Sequence, residues 1–276
     1  MTTTTTGHAL STASWLDTHY LACQAEYEAM LSAVGLQAGW HVLDAGCGSG
    51  SFLPLMANLL GPSGHITAID LASENVAAVE ALIKSGHFPC PVEFALGSVT
   101  ELPDEDATFD AVWNANVSQY LTNDELLAML AEFRRTVKPG GLVAVKESDI
   151  TALQFRPAPA TLLWHLFEVL VGDGNIQTIG SLRAIELPAW FRRAGLHDIR
   201  CKPTLVERCV PLRPVEREFF GSLLAWLAGQ AERLALPPDE KKCWQELGEV
   251  DSPQHLLNAA DFYWREAHVL VVGRVP

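Results

Sequence analysis

Between Val42 and Gly50 the chain reads VLDAGCGSG, an apolar run that ends in an acid, Asp44, and then places Gly46, Gly48 and Gly50 at alternate positions. Glycine tolerates left-handed backbone and has no Cβ, so such a turn lets a ligand approach main-chain atoms closely. A helix that starts just after it, near Ser51, would present free N–H groups and a positive dipole end to an anion. The spacing is not that of a dinucleotide turn, because the third glycine comes one residue early and the acid precedes the first. The Gly-Lys-Ser/Thr of a P-loop is absent. A second acid, Asp70, closes the run HITAID and lies 20 residues past Gly50.

These residues need a frame. WLDTHYLACQAEYEAMLSAVG has the spacing of one helix stopped by Gly35. HVLDAG follows as a buried strand, and SFLPLMANLLG as a helix ended by Gly61. HITAID is the second strand. SENVAAVEALIKSG reads as a helix with Ser73 at its N-cap and Gly86 at its end. PVEFALG and FDAVWNA are the third and fourth strands. TNDELLAMLAEFRRTV is a helix whose Thr122 and Glu125 have capping-box spacing, and GLVAVKE is the fifth strand. Short apolar strands alternating with helices predict an α/β fold with a mostly parallel, doubly wound sheet, and place the glycine turn at its topological switch point. After Glu147 the rhythm changes. PATLLWHLFEVLVG and LPAWFRRAG read as helices, HDIRCKPTLVER as a long strand, residues 214–261 as helical, and HVLVVGR as the last strand. The helices outside the alternation are expected to form a cap over one end of the sheet.

The 276 residues are 49% hydrophobic with a formal net charge of −14. That length supports one large domain with a real core. The acidity argues against a nucleic-acid partner and against anionic membranes. No run approaches a membrane span, and the polar start MTTTTTGHALSTAS is expected to be a frayed tail rather than a signal peptide. With no export signal and no CxxC pair, the six cysteines are expected to be reduced, a zinc site is not expected, and the location is expected to be cytoplasmic.

In order along the chain, VLDAGCGSG, the acid ending ITAID, GSVTELPDEDATFDAVW and VKPGG resemble the class I S-adenosylmethionine-dependent methyltransferases. The resemblance covers about residues 34–147 and points to the branch of ubiquinone/menaquinone-biosynthesis-type and natural-product enzymes. It implies a seven-stranded Rossmann-like methyltransferase sheet with a helical cap over the cofactor, in one domain spanning 1–276. The core is expected at about 34–150, 188–210 and 264–276, the cap at 12–33, 151–187 and 212–262, and disorder at 1–11. The implied cofactor is S-adenosyl-L-methionine. Gly46, Gly48 and Gly50 would admit it, with Cys47 as a small filler beneath it. Asp44 would favour its ammonium and Asp70 would accept both ribose hydroxyls. Leu71 would flank the adenine, with Ser98 and Val99 beside it; Ser98 stands where many relatives carry aspartate. Asn114 and Ala115 would face the methionine portion by their backbone, and Gln119 takes a place where relatives often carry histidine.

The implied reaction is in-line methyl transfer to a hydrophobic small molecule, a secondary metabolite, at C, O or N. The alternatives are a cyclase that uses the cofactor structurally and a non-enzymatic cofactor-binding protein. Tyr20, on the first helix, is a candidate for cofactor contact and catalysis, the alternative being an ordinary helix face. His19 is a candidate acceptor contact. Glu147 is a candidate base or orienting group, the alternative being a salt bridge with Arg183. His165 is a candidate base, and Trp164, His165 and Phe220 are candidate acceptor contacts. No metal is expected. The fourth strand ends in NANV rather than Asn-Pro-Pro-Tyr, which argues against DNA methylation. The first helix leaves room for a homo-oligomer in which it covers a neighbour's site.

Overall fold

The computed structural model describes Thr3 and residues 11–276. The tail expected to be disordered lies outside them, apart from Thr3 and Ser11. Seven strands form one sheet: β1 (His41–Ala45), β2 (His65–Asp70), β3 (Val92–Leu96), β4 (Phe109–Ala115), β5 (Val137–Arg156), β6 (His197–Cys209) and β7 (Tyr263–Arg274). Their order is β3-β2-β1-β4-β5-β7-β6, with β7 antiparallel to both neighbours. The chain runs outward from β1 to β3, then crosses back to β4 on the other side of β1. That reversal opens a crevice at the carboxyl ends of β1 and β4.

Side chains that alternate along the strands explain why both faces are covered. On β5, Leu142 and Ala144 join the cluster under α2 (Gln24–Ser32), α3 (Leu53–Leu60) and α4 (Val76–Ser85). Val143 and Val145 join the opposite cluster under α5 (Asn123–Thr136) and α8 (Leu187–Arg193). The capping box of α5 is present: Glu125 N–H donates to Thr122 Oγ1 at 3.3 Å and Thr122 N–H to Glu125 Oε2 at 2.8 Å.

A third core cluster lies past the strand ends. It joins α1 (Ala13–Ala22), α6 (Leu162–Gly172), α9 (Pro214–Arg233) and α10 (Pro238–Gly248) to the far ends of three long strands. After a register shift between Asp149 and Gln154, β5 pairs with β7 again as far as Arg156 and Tyr263. Leu153, Phe155, Val206 and Trp264 thereby form part of the cap's own core. The fifth and seventh strands are longer than expected because this pairing carries them beyond 141–147 and 268–274.

Three local expectations change. The single first helix is two, broken at Cys23 (φ −112, ψ 16). Of the second half, Tyr27 packs in the cap while Met30 and Leu31 pack on the sheet. Ser73 is not the cap of α4: Ser73–Asn75 form a single 3-10 turn, and the helix starts at Val76. Of residues 214–261, only α9, α10 and a turn at Leu256–Asn258 are helical. No helix of the described residues is long and apolar enough to cross a membrane.

Candidate active site

The glycine turn is stitched to the neighbouring strand by its backbone. Ile69 O accepts from Gly46 N–H at 2.7 Å and Cys47 N–H at 3.0 Å, and Asp70 Oδ2 accepts from Gly48 N–H at 2.7 Å. The two glycines of the turn that line the cavity are required by conformation. Gly46 has φ +80 and a Cβ there would meet Val117 at 2.4 Å; Gly48 has φ +56 and its Cβ would meet Leu16 at 2.8 Å. Non-glycine residues pay for that backbone region. Asp17 on α1 accepts hydrogen bonds from Ser49 Oγ at 2.6 Å and Ser51 Oγ at 3.1 Å, so the first helix is latched across the turn.

Asp70 is held from both sides. Its Oδ1 accepts from Ala72 N–H at 2.8 Å and Asn75 Nδ2 at 3.4 Å. Burial raises its pKa against these donors. Asp44 is more exposed to electrostatic cost. Its Oδ2 is buried with no hydrogen-bond partner, and burial, then the nearby Asp70, push its carboxyl up to about 8. An unpaired buried carboxylate is destabilising, and a ligand ammonium placed against it removes the penalty. This orphaned oxygen, the glycine backbone and the fixed carboxylate of Asp70 are chemically suited to an S-adenosylmethionine, whose ammonium Asp44 would hold and whose ribose diol Asp70 would accept.

All of these groups line one large cavity, together with Tyr20, Cys47, Leu71, Ser98, Val99, Ala115 and Gln119. The space, open solvent at its mouth included, is about 1870 Å³. Leu71 is 44% exposed at the rim. Tyr20 Oη donates to Glu28 Oε1 at 3.2 Å and its ring meets Phe52 edge-on. Burial, then Asp44 and Asp70, raise the Cys47 thiol well above its usual value and favour its protonated form. Ser98 Oγ accepts from Thr100 N–H at 3.2 Å within its own turn. Gln119 Oε1 accepts from Ser181 Oγ at 3.1 Å, and its Nε2 donates to Asn116 O at 3.0 Å.

Six of the sequence-based assignments lie elsewhere. Gly50 is off the cavity: at φ +85 it turns the chain into α3, where a Cβ would meet Leu53 at 2.9 Å. Asn114 is fully buried and off the cavity; its amide donates to Ala45 O at 2.6 Å and ties β4 to β1. Asn116, two residues on and with φ +58, lines the cavity instead. Glu147 is also buried off the cavity. Its Oε2 accepts from Ser118 Oγ at 2.7 Å and Gln119 N–H at 3.0 Å, and its Oε1 from Ser148 N–H at 2.9 Å. It therefore shapes the 118–119 turn and touches no ligand. Arg183, offered as its ion-pair partner, instead donates to Ser118 O and Leu121 O at 2.8 Å each and to Asn123 Oδ1. His165 pairs with Glu240 at 2.7 Å, and neither it nor Trp164, which is 54% exposed, lines the cavity. Helical phase turns both away, while Phe167 of the same helix faces in. Phe220 is fully buried against Trp264 in the cap core; its neighbour Phe219 lines the cavity.

The far half of the cavity is apolar. Trp15 of α1, Ile150 and Leu153 of β5, Phe167 of α6, and Leu223 and Trp226 of α9 line it, beside Phe219. His19 lies here, stacked on Phe219 with ring centres 4.3 Å apart. Gln177, Thr178 and Ser181 of α7 (Ile176–Leu182) supply a polar edge.

A methyltransferase-domain family model matches residues 42–141. The protein named "Probable methyltransferase ltbC" from Aspergillus luteorubrus is 30% identical over 256 residues, covering 88% of this chain and 85% of its own. Demethylmenaquinone methyltransferase of Bacillus pumilus is 33% identical over 188 residues, covering 63% of this chain and 77% of its own. Among solved structures, the YcgJ protein of Bacillus subtilis superposes with a TM-score of 0.56 at 16% identity, over 91% of this chain and 98% of that one. A phosphoethanolamine N-methyltransferase of Haemonchus contortus in complex with S-adenosyl-L-methionine gives 0.55 at 16% identity, over 96% of this chain and 57% of that one. The chain belongs to the class I S-adenosylmethionine-dependent methyltransferases, in their small-molecule branch. It is an enzyme of methyl transfer, and its cofactor is S-adenosyl-L-methionine.

Proposed function

We propose that the methyl acceptor is a hydrophobic small molecule, of the ring-bearing kind found among secondary metabolites and quinone precursors. One observation carries this reading: a single cavity has a polar, backbone-built end around Asp44 and Asp70 and an apolar end lined by Leu153, Phe167, Phe219, Leu223 and Trp226. The polar end is accounted for by the cofactor. The apolar end favours an acceptor that loses water-exposed carbon area on binding, worth about 25 cal/mol for each Å² removed from water. Similarity to proteins named demethylmenaquinone methyltransferase and ubiquinone biosynthesis O-methyltransferase supports this reading. The reaction is an in-line displacement, for which the protein supplies alignment and exclusion of water. The test is transfer of a labelled methyl group to a panel of bicyclic and polycyclic acceptors and, beside them, to small hydrophilic amines. Label in the organic-extractable fraction is expected. Label confined to the hydrophilic amines would overturn the assignment.

A further inference from the structure

The cavity wall beside His19 holds a chain of buried proton-carrying groups. His19 Nε2 lies 2.7 Å from Tyr27 Oη, Tyr27 Oη lies 3.4 Å from His268 Nε2, and His268 Nε2 lies 3.4 Å from Glu266 Oε1. On its other side His268 Nδ1 is 3.3 Å from Ser148 Oγ. His19, Tyr27, Ser148 and Glu266 line the cavity, and His268 is buried behind them. Glu266 and His268 share one face of β7, and Ser148 is the ladder partner of His268 on β5. Burying so many polar groups together is costly, and an apolar wall would be more stable. The residues discussed above as the cofactor cradle do not require them.

We infer that His19, Tyr27, His268 and Glu266 are a proton wire, and that the acceptor carries an ionisable hydroxyl, a phenol or an enol, whose proton this wire removes. The inference rests on the acceptor site proposed above. The acceptor O–H proton passes to His19 Nδ1 as His19 Nε2–H passes its own to Tyr27 Oη, and Tyr27 passes its proton to His268 Nε2. The acceptor's electron pair forms the new bond to the methyl carbon, and the carbon–sulfur pair returns to sulfur. The positive charge that leaves the sulfonium reappears on His268, which donates to the Glu266 carboxylate. His19 is the catalytic base; Tyr27, His268 and Glu266 act through it.

The proton-carrying groups rest uncharged beside one carboxylate. Burial and Lys146 hold both imidazoles below their usual pKa, so they rest neutral, and Glu266 opposes this by favouring the imidazolium that the transfer creates. Burial works to raise Glu266, but the neighbouring imidazoles and the Cys23 thiol outweigh it and hold the carboxyl down at about 2. The transfer requires His268 to rest with its proton on Nδ1, toward Ser148 Oγ, and Nε2 open to Tyr27; Nε2–H reaches Glu266 only after the proton arrives. Cys23 Sγ donates to Glu266 Oε1 at 3.1 Å. Lys146 Nζ sits 3.7 Å over the Tyr27 ring and donates to Asn116 Oδ1 at 2.7 Å. Glu26, Glu147 and Arg208 face the cluster from further out.

The experiment uses the full chain, labelled cofactor, and 1-naphthol with a series of ring-substituted naphthols graded in acidity. Tyr27→Phe keeps the buried ring and removes one link. Its turnover number is expected to fall on the order of 10²-fold, the usual scale for lost acid–base help, with KM and cofactor affinity within about twofold. The defect should shrink as the naphthol becomes more acidic, and His268→Gln should show the same trend. A purely structural role would leave that acidity dependence unchanged, and such a result overturns the wire. So does methyl transfer only to acceptors without an ionisable hydroxyl, or no transfer to any naphthol by protein that binds the cofactor. Activity abolished by EDTA and restored by zinc would instead make His19, Cys23, Glu266 and His268 a cation site, and overturns it too. Loss of cofactor binding in the wild-type protein, read by calorimetry, would refute the methyltransferase reading itself and is distinct from all of these.

Discussion

The two ends of the cavity are built in opposite ways. The cofactor end comes from short consecutive segments at strand ends, 44–50, 70–72, 97–99 and 115–119, and presents mostly backbone. The acceptor end comes from side chains on α1, α6, α7, α9 and the overhanging strands, brought together from across the chain. A backbone cradle depends on conformations that few residues can adopt, so it tolerates little change. A side-chain wall changes its shape with any substitution and still folds. The contrast explains how one fold keeps its cofactor while its acceptor varies.

The contrast can be broken at its rigid end first. Gly46→Ala puts a Cβ at φ +80 and within 2.4 Å of Val117; strain of about 1–3 kcal/mol is expected. With the overlap added, cofactor affinity by calorimetry should fall on the order of 10²-fold, while circular dichroism stays native. Asp70→Ala removes the carboxylate that accepts from Gly48 and Ala72. Cofactor affinity should weaken by roughly 1.5–3 kcal/mol, the scale of a hydrogen bond to a charged group; unchanged affinity would refute the ribose assignment.

Protonation sharpens the comparison without a mutation. Asp44, pushed up to about 8, holds a proton at pH 7 in the free protein. Binding an ammonium favours the ionised form, so a proton is released. Affinity should drop about tenfold for each unit below pH 8. Above it the gain stops, because an α-amino group itself loses its proton near 7.7–8.0. Calorimetry in buffers of different ionisation enthalpy reads that proton directly. The same shift has a stability sign. A carboxyl raised from 3.8 to about 8 gives stability that is full below pH 3.8 and is lost as pH rises through 8. The cofactor-free protein should therefore melt at lower temperature as pH climbs across that window.

At the adaptable end, effects should be smaller and separate. Trp226→Ala should raise KM for a ring acceptor up to about tenfold, the scale of removing one large apolar contact, with cofactor affinity unchanged. Smallest of all is His165→Ala. Its pair with Glu240 is partly exposed and outside the cavity, worth ~1 kcal/mol at most. Turnover should stay within about twofold. A large loss would return His165 to the site.

The same division explains what could be read from the sequence. The cofactor end is legible because its glycines and acids stand at fixed offsets from strand ends, so position in the chain nearly equals position in space. Asn114 missed by two residues: its backbone is expected at the ligand, but the chain turns into the cavity only from Ala115 to Val117, and the Asn114 side chain ties two strands together. The acceptor end depends on helical phase, and here phase is hidden. Leu162, Leu163, Leu166, Phe167 and Leu170 are all buried on α6, and a helix apolar nearly all round does not reveal which aromatic faces in. On α9, Phe219 and Phe220 are neighbours, yet one lines the cavity and the other the cap core. Glu266 and His268 carry no local mark. Only the pairing of β7 with β5, and α1 and α2 folding over it, bring them to His19 and Tyr27.

The overhang of β5, β7 and β6 ties these two ends into one mechanical body. The hydrogen-bonded ladder that starts beside the cofactor crevice continues, past the shift at Asp149, into the middle of the cap. A lid on a hinge would open and melt by itself. Here amides at Phe155 and Trp264 belong to the same ladder as those at Val143 and Val271. Hydrogen exchange should therefore find them protected to a similar depth and released in one cooperative event, with the helices laid over them fraying earlier.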